Sequence, residues 1–105
     1  MLNQVILVGR LTRDLEVHES DKGKKVATCT IAVPRAFKNK DGILETDFIN
    51  CTLWDAIALN TSEYCKKGDI VGIKGRLQTK KETVDDKTYY RLELVADKVS
   101  FLSGH

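Results

Sequence analysis

Short runs in which every second residue is apolar restrict this chain to folds built largely from β-strands. In residues 47–54 the apolar side chains are Ile49, Cys51 and Leu53. Residues 26–33 alternate in the same way. Successive side chains of a strand point to opposite faces, so a period of two indicates strands with one buried face. A helical period dominates in only one stretch of the sequence.

The pattern predicts five strands and one helix. An interior glycine at Gly9 marks a bend or bulge in the first strand, and residues 15–18 could continue that strand after a kink. Asp55 is placed to cap the helix, and Gly68 to follow its last turn. The predicted strands are 3–11, 26–33, 47–54, 70–78 and 88–101, and the predicted helix is 55–67, with Lys66 and Lys67 suited to its C-terminal dipole.

Turn chemistry separates these elements. Pro34 is expected to end the second strand, because proline has no N–H to donate to a ladder. The composition of Ser20–Lys24 is that of a hairpin turn. We interpret residues 35–46 as a polar loop or a long hairpin with Asp41-Gly42 at its tip, and residues 80–87 as a charged hairpin loop.

The resulting order, β-β-β-α-β-β, predicts the fold class. It is that of an all-β protein, a five-stranded OB-fold Greek-key barrel with one α-helix between strands 3 and 4. Other small barrels and split sandwiches share this strand count. At 105 residues the chain has the length of a single domain, residues 1–105.

Composition excludes several classes of function. Three separated cysteines and two histidines, His18 and His105, do not supply the clustered donors of a metal site. We expect the cysteines to be buried free thiols in a reducing compartment. The apolar run 5–8 is too short for a signal sequence or a membrane span. Because neither a signal sequence nor a membrane span is found, we expect a cytoplasmic protein. No nucleophile has plausible His/Asp partners and no phosphate-binding loop is present, so we expect that the protein is not an enzyme and needs no cofactor.

Aromatic side chains on the outer face are the main functional signal. If Ile49 and its neighbours at every second position fill the core, then Phe48 and Trp54 must face outward. Rings that face outward are not stabilised by burial in the core, but they can stack on the bases of a single strand, at roughly 1–3 kcal/mol per base. Phe37 could add a third platform. The alternative is structural packing, against the helix or another subunit, which for Trp54 is as plausible as stacking.

Basic residues accompany these rings, as phosphate contacts require. The net charge of +2 is uninformative, since acidic residues nearly balance the basic ones and only their distribution matters. The combination favours a nucleic-acid binder without choosing DNA. The candidate phosphate contacts are Arg10, Arg13, Arg35, Lys38, Lys40, Lys74, Arg76, Lys80 and Lys81.

Several segments resemble the bacterial and phage single-stranded DNA-binding proteins, in the order in which that family carries them. The similar segments are 3–11 (NQVILVGRL), 14–17 (DLEV), 26–33 (VATCTIAV), 62–69 (SEYCKKGD), 73–79 (IKGRLQT) and 93–102 (ELVADKVSFL).

The resemblance implies a homotetramer, a dimer of dimers, that binds single-stranded DNA in replication, recombination and repair. Stacking residues carry over to Phe37, Phe48 and Trp54. Phosphate contacts carry over to Lys40, Lys66, Lys67, Lys80 and Lys81. The resemblance also implies association with the nucleoid, and pairing of the first strand with its copy through Asn3, Gln4, Val5, Ile6 and Leu7, which would cover an open strand edge.

The chain departs from the family pattern in three places. Leu15 replaces a proline. Glu82 stands where many members carry an aromatic residue, which implies weaker binding unless Tyr89 or Tyr90 substitutes. The acidic C-terminal tail that recruits partner enzymes in the family is absent from this sequence, so the resemblance does not extend to tail-mediated repair and replication partners. A truncated protein and a naturally short form both fit this observation.

Two other OB-type proteins fit the sequence. The first is a dimeric primosomal protein of the n type, which loads a helicase and belongs to the interaction proteins. The second is an RNA-binding OB module.

Overall fold

Five long strands curl into one closed sheet in the computed structural model, which describes residues 1–102 and leaves His105 outside the described part. The elements are β1 Val5–Leu11, β2 His18–Glu19, β3 Lys25–Lys38, β4 Leu44–Trp54, α1 Asp55–Tyr64, β5 Ile70–Val84 and β6 Lys87–Phe101. The order of the long strands around the sheet is β1-β5-β6-β4-β3, and β1 also pairs with β3, which closes the barrel. The prediction of a five-stranded OB-fold barrel, with a helix between its third and fourth long strands, is confirmed.

Gly9 explains how the barrel closes. β1 pairs along its length with β5, and at Arg10 and Leu11 it pairs also with β3. A Cβ atom at Gly9 would lie 2.6 Å from the carbonyl oxygen of Ala32, too close for any side chain. The glycine that the sequence marks as a bend is therefore the residue at which β1 crosses β3.

The core is built from the inward positions predicted by alternation. Ile31 and Leu53 are fully buried, and Cys29 lies directly opposite Cys51 in the β3–β4 ladder. Helix α1 covers this core with Ala58 and Thr61. All three cysteines are buried and free, as the sequence predicted. The buried apolar residues are Leu11, Ala27, Cys29, Ile31, Cys51, Leu53, Ala58, Cys65, Val71, Ile73, Leu94, Val95 and Ala96.

Pro34 does not end β3, so that prediction is wrong. The strand continues to Lys38, with Pro34 opposite Thr46 and an irregular register between Pro34 and Lys38. Beyond the barrel β3 has only β4 as a neighbour, and a proline whose missing N–H would face the open side costs no ladder hydrogen bond. The long-hairpin alternative for residues 35–46 is correct, with Gly42 at its tip in the left-handed region (φ 76°).

The predicted charged loop at 80–87 is also mostly strand. β5 runs to Val84 and β6 begins at Lys87, so only Asp85 and Asp86 form the turn. Both have positive φ, 51° and 64°, as a tight two-residue hairpin requires. Beyond Leu77 the sequence of β5 shows no apolar alternation, because neither face of this hairpin reaches the core.

The helix boundaries differ from the predicted ones. α1 ends at Tyr64 rather than Lys67, and Trp54, not Asp55, is its N-cap residue. The Asp55 carboxylate instead accepts a hydrogen bond from the Lys25 amide at 3.3 Å. The last turn of α1 contains no basic residue. Lys66 and Lys67 lie after it, before Gly68 (φ 91°).

The first strand starts at Val5, but the Asn3 side chain extends its ladder. Asn3 Nδ2 donates to the Leu77 carbonyl at 2.6 Å, and the Leu77 amide donates to Asn3 Oδ1 at 2.9 Å. Of the possible continuation at 15–18, only His18 is in a strand, the two-residue β2. The Ser20–Lys24 turn is confirmed by a 2.7 Å bond from the Ser20 amide to the Lys24 carbonyl.

No helix within residues 1–102 is long and apolar enough to cross a membrane. The same part of the chain holds no group of three side chains suited to bind a metal ion.

Candidate nucleic-acid interface

The outer face of β3 and β4 is a ladder of cross-strand pairs with an aromatic ring near each end. Trp54 pairs with Val26 at one end, and Phe48 pairs with Ala32 at the other. Directly opposed residues share a face of the sheet. The inward positions next to them are buried, so Phe48 and Trp54 face outward, as the alternation predicted. We call this surface the outer face; its four pairs are Val26/Trp54, Thr28/Thr52, Thr30/Asn50 and Ala32/Phe48.

Trp54 lies in a groove rather than on an open surface. The ring is half-buried and lines two adjoining cavities of 830 and 500 Å³. We call these two cavities together the Trp54 groove. One wall is the Ser20–Lys24 turn, and the other is the β5–β6 hairpin, represented by Lys80 and Glu93. These are the two loops between which OB barrels bind oligonucleotides and oligosaccharides.

Hydrogen bonds fix the floor of the groove. Thr52 Oγ1 donates to Glu93 Oε2 at 3.1 Å, and Gln78 Nε2 donates to Glu93 Oε1 at 2.9 Å. On the outer face, Thr30 Oγ1 donates to Asn50 Oδ1 at 2.6 Å. The floor between the two rings is therefore polar and already ordered.

Cations line the rim of the Trp54 groove. Of the predicted phosphate contacts, Arg76 and Lys80 lie here, with Arg76 paired to Asp97. Lys22 and Lys24, on the opposite wall, were not predicted. The ion pairs of the described residues include neither of these two lysines nor Lys80. Their ammonium groups are therefore available to phosphates.

A second basic group lies at the Phe48 end. Ala32 is paired with Phe48 on one side and with Arg10 on the other, so Arg10 is two strands from the ring on the same face. Arg10 Nη1 donates to the carbonyl of Gly68 at 3.0 Å. That contact brings the turn containing Lys66 and Lys67 beside Arg10. The cations at the two ends flank a continuous path over the outer face.

Arg13 lies next to this path. It lines a cavity of 460 Å³ with Asp14, Glu16, His18 and Thr28. Thr28 also lines the Trp54 groove, so the two spaces adjoin. Two carboxylates share the cavity with Arg13, which makes it less attractive to phosphate than the Lys80 rim.

Arg35, another predicted phosphate contact, lies on a different face of the sheet. Its guanidinium donates two hydrogen bonds to Asp47, from Nε at 3.1 Å and Nη2 at 2.9 Å, and pairs with Glu45 as well. Asp47 is two residues before the inward Ile49, so this cluster lies on the face opposite Phe48. The Arg35 hydrogen bond holds the pKa of Asp47 below its usual value, and Asp47 raises the pKa of Arg35.

Five other predicted residues lie away from the groove. Lys74 pairs with Ile6 and Lys98, among residues that line none of the three cavities described above. Lys81 is adjacent to Lys80 on β5 and so points to the reverse face. The others are on the β3–β4 arm beyond the barrel: Phe37, which is 85% exposed, Lys38 and Lys40.

Sequence reasoning missed Arg91 and did not decide between Tyr89 and Tyr90. Arg91 lines the Trp54 groove opposite Lys80 and binds Glu82 at 2.9 Å. Tyr89 is directly opposite Glu82, hence on the same face as Arg91, while Tyr90 is on the reverse face. Residues 88–101 were predicted as strand, but residues 80–87 were predicted as a loop, so the pairing that sets Arg91 opposite Lys80 was not predicted.

One edge of β1, the strand predicted to contact a second subunit, is open between Val5 and Gly9. Between Val5 and Gly9, β1 has β5 on one side and no paired strand on the other within the described residues. Ile6 and Val8 are 69% and 51% exposed. Val5 and Leu7 are half-buried against the core, and Asn3 is bonded to β5.

The fold and the groove together define the class of protein: an OB-fold barrel with a tryptophan-lined groove between its two hairpin loops. Residues 2–102 match the Single-strand binding protein family. The chain therefore belongs to the single-strand binding protein family, and the resemblance seen in the sequence is confirmed.

Individual relatives agree with this assignment. Single-stranded DNA-binding protein B of Bacillus subtilis (strain 168) is 48% identical over 103 residues, which are 97% of this chain and 91% of that protein. The Single-stranded DNA-binding protein of Oceanobacillus iheyensis is 52% identical over 103 residues, and that of Bacillus cereus is 50% identical over 103 residues. The chain spans 64% and 61% of the lengths of these two proteins.

Proposed function

We propose that this chain binds single-stranded DNA without sequence preference and protects it during replication, recombination and repair. It would do so by stacking bases on aromatic rings and by pairing phosphates with cations, with no chemical step. The observation that carries the proposal is the Trp54 groove. A half-buried ring lies between two hairpins that supply unpaired lysines from both sides.

The geometry suits a flexible single strand. A duplex keeps its bases stacked on each other, but a single strand can offer each base to a ring. The outer face carries rings at Trp54 and Phe48, with polar pairs between them. Arg10 and Lys80 are at opposite ends of this face, where phosphates of a crossing strand would pass. The phosphate contacts that we retain are Arg10, Arg13, Lys66, Lys67, Arg76 and Lys80, and we add Lys22, Lys24 and Arg91.

We further propose that the protein works as a homotetramer, a dimer of dimers in which the open edge of β1 pairs with its copy. The exposed Ile6 and Val8 support this, because a free strand edge with apolar side chains is a site of association. Binding to DNA implies that the protein is located in the cytoplasm, in association with the nucleoid. Native mass spectrometry tests the assembly: we expect a tetramer, and a dimer would favour the primosomal type.

Competition binding tests the choice of ligand. A labelled oligo(dT) is bound at fixed salt and displaced with unlabelled poly(dT) or poly(U). We expect poly(dT) to compete at much lower concentration than poly(U). Equal or better competition by poly(U) would support the RNA-binding alternative and contradict the proposal.

A further inference from the structure

Two thiols lie directly opposite each other beneath the outer face. Cys29 of β3 pairs with Cys51 of β4, and the register is regular from Val26 to Pro34. Opposed residues of antiparallel strands have Cα atoms about 4.5–5.5 Å apart. Disulfides span Cα distances of about 4.4–6.8 Å. The backbone spacing therefore already suits a bond between the two sulfur atoms.

The side chains are arranged for the same bond. Both point inward, and they are only 2% and 1% exposed. A hydrogen bond between the thiols lowers the pKa of Cys29 and, together with burial, raises the pKa of Cys51. Cys29 is thus the thiol that loses its proton more readily. The proposed binding mechanism uses neither group.

We propose that Cys29 and Cys51 form an oxidation site that reacts with a low-molecular-weight disulfide, RSSR, and closes to an intramolecular disulfide. The Cys29 thiolate attacks one sulfur of RSSR, whose S–S bond breaks and releases RS⁻. The Cys51 sulfur then attacks the Cys29 sulfur and releases the second RS⁻. The protons of the two cysteine thiols pass to the released thiolates. The net change is two protein thiols and RSSR to one protein disulfide and two RSH.

The third cysteine is a poor competitor. Cys65 follows α1, outside any strand, and has no cysteine opposite it. Burial is the main cause that raises its pKa, and the charges of Asp69 and Cys29 add to the effect. The directly opposed backbone positions of Cys29 and Cys51 therefore favour a bond within the β3–β4 pair over one to Cys65.

The location links this site to nucleic-acid binding. Cys29 lies between Thr28 and Thr30, whose side chains are on the outer face between the two rings. Because the thiols are almost fully buried, an oxidant reaches them only when β3 and β4 separate locally. A DNA strand lying across both strands would hold them together and slow the reaction. This coupling rests on the proposed function, whereas the disulfide itself does not.

The test uses the reduced, folded protein and glutathione disulfide as the oxidant. After incubation, free thiols are blocked with N-ethylmaleimide and the products are analysed by intact mass and peptide mapping. We expect the loss of two hydrogen atoms, a link between the peptides containing Cys29 and Cys51, and no retained glutathione. The link closes a loop of about 20 residues and should raise the melting temperature by roughly 5–10 °C, reversibly with dithiothreitol.

Cys65→Ala is the decisive variant, because it leaves only the Cys29–Cys51 pair and adds no hydroxyl to the core, in which Cys65 is also buried. It should form the same link at the same rate as the wild type. A serine at Cys29 or Cys51 removes the link but places a hydroxyl in the core, so those variants serve only as secondary controls. A stable glutathione adduct, a link through Cys65, disulfide-linked dimers, or thiols that stay reduced at temperatures just below melting would each overturn the proposal.

The coupling has its own readout. Bound oligo(dT) should slow formation of the link several-fold in the wild type, while free thymidine should not. If the link forms equally fast with and without bound DNA, the coupling is wrong although the oxidation site stands. If oligo(dT) does not bind at all, it is the proposed function that fails.

Discussion

The two aromatic ends of the outer face differ in how completely the protein encloses them. Trp54 is half-buried in a groove with a wall on each side. Phe48, at the other end of the outer face, is 68% exposed, and Phe37, on the β3–β4 arm, is 85% exposed. A ring held in a groove gives up less side-chain entropy when a base stacks on it, and neighbouring groups exclude water from the stack. The Trp54 end should therefore supply affinity, and the Phe48 end and the arm should mainly extend the contact along the strand.

The largest expected effect is that of Trp54→Ala. We expect affinity for oligo(dT) to fall about 10- to 100-fold, the stacking energy of one or two bases. Phe48→Ala, at the open end of the outer face, should lower affinity about 3- to 10-fold. Fluorescence anisotropy of a labelled oligonucleotide measures both. An effect of Phe48→Ala as large as that of Trp54→Ala would contradict the comparison.

Circular dichroism of the same two variants sharpens this result. Both should keep the fold, since neither ring belongs to the buried core. If Trp54→Ala unfolds the protein, the ring is a structural residue and not a binding platform.

Tyr89 and Tyr90 form the next test, because they are adjacent in sequence and on opposite faces of the β5–β6 hairpin. Tyr89 is 51% exposed, on the face that includes Arg91 and Glu93. Tyr89→Ala should weaken binding of an oligonucleotide long enough to reach the hairpin by about fivefold. Tyr90→Ala is the matched control and should change it less than twofold. The reverse order of effects would show that the strand crosses the other face of the hairpin.

Lys80 and Lys74 test the phosphate path in the same way. Both are exposed lysines on β5, but Lys80 lines the Trp54 groove and Lys74 does not. A phosphate contact to single-stranded DNA contributes about 0.7 to the slope of log affinity against log salt. Lys80→Gln should make this negative slope shallower by about this amount, and Lys74→Gln should leave the slope unchanged. Equal slopes for the two variants would remove Lys80 from the path.

The smallest effect concerns Arg35. At neutral pH, Asp47 is charged and holds Arg35 on the face away from Phe48. Asp47→Asn should remove one negative charge and leave Arg35 paired only with Glu45, which should strengthen DNA binding by no more than about threefold for such an exposed charge. Weaker binding by Asp47→Asn would mean that the paired geometry itself contributes.

Acid should weaken the same ion pair. The pKa of Asp47 is lowered in the fold, so its contribution to stability is present above the unfolded pKa and is lost as pH falls through the folded value. Mild acid should therefore leave the pair intact. Asp47→Asn should be slightly less stable than the wild type at neutral pH, and unfolding followed by circular dichroism should show the two proteins converging only at the lowest pH.

The core and the topology could be predicted because burial imposes a period of two. Alternation assigns each side chain to the buried or to the exposed face of the sheet, and it assigns Ile31 and Leu53 to the buried face, where the structure has them. The hairpin arms could not be predicted in this way. Beyond the barrel neither face is buried, so residues 80–87 are polar apart from Val84 and are equally compatible with loop or strand.

The candidate site was only partly predictable for a related reason. Alternation placed Phe48 and Trp54 outward, but proximity across strands depends on register. Register brought Lys24 and Arg91 to the groove and took Arg35 to the other face. The end of β3 was wrongly predicted at Pro34, because the missing N–H of a proline matters only where a neighbouring strand needs a hydrogen-bond donor.

Quenching of Trp54 fluorescence by poly(dT) tests the central claim most directly, since Trp54 is the only tryptophan of the chain. The titration is performed at low and at high salt. We expect strong quenching that saturates, with the midpoint moving to higher poly(dT) concentration as salt increases. Absence of quenching, or a midpoint indifferent to salt, would contradict a groove in which bases stack on Trp54 while lysines hold the phosphates.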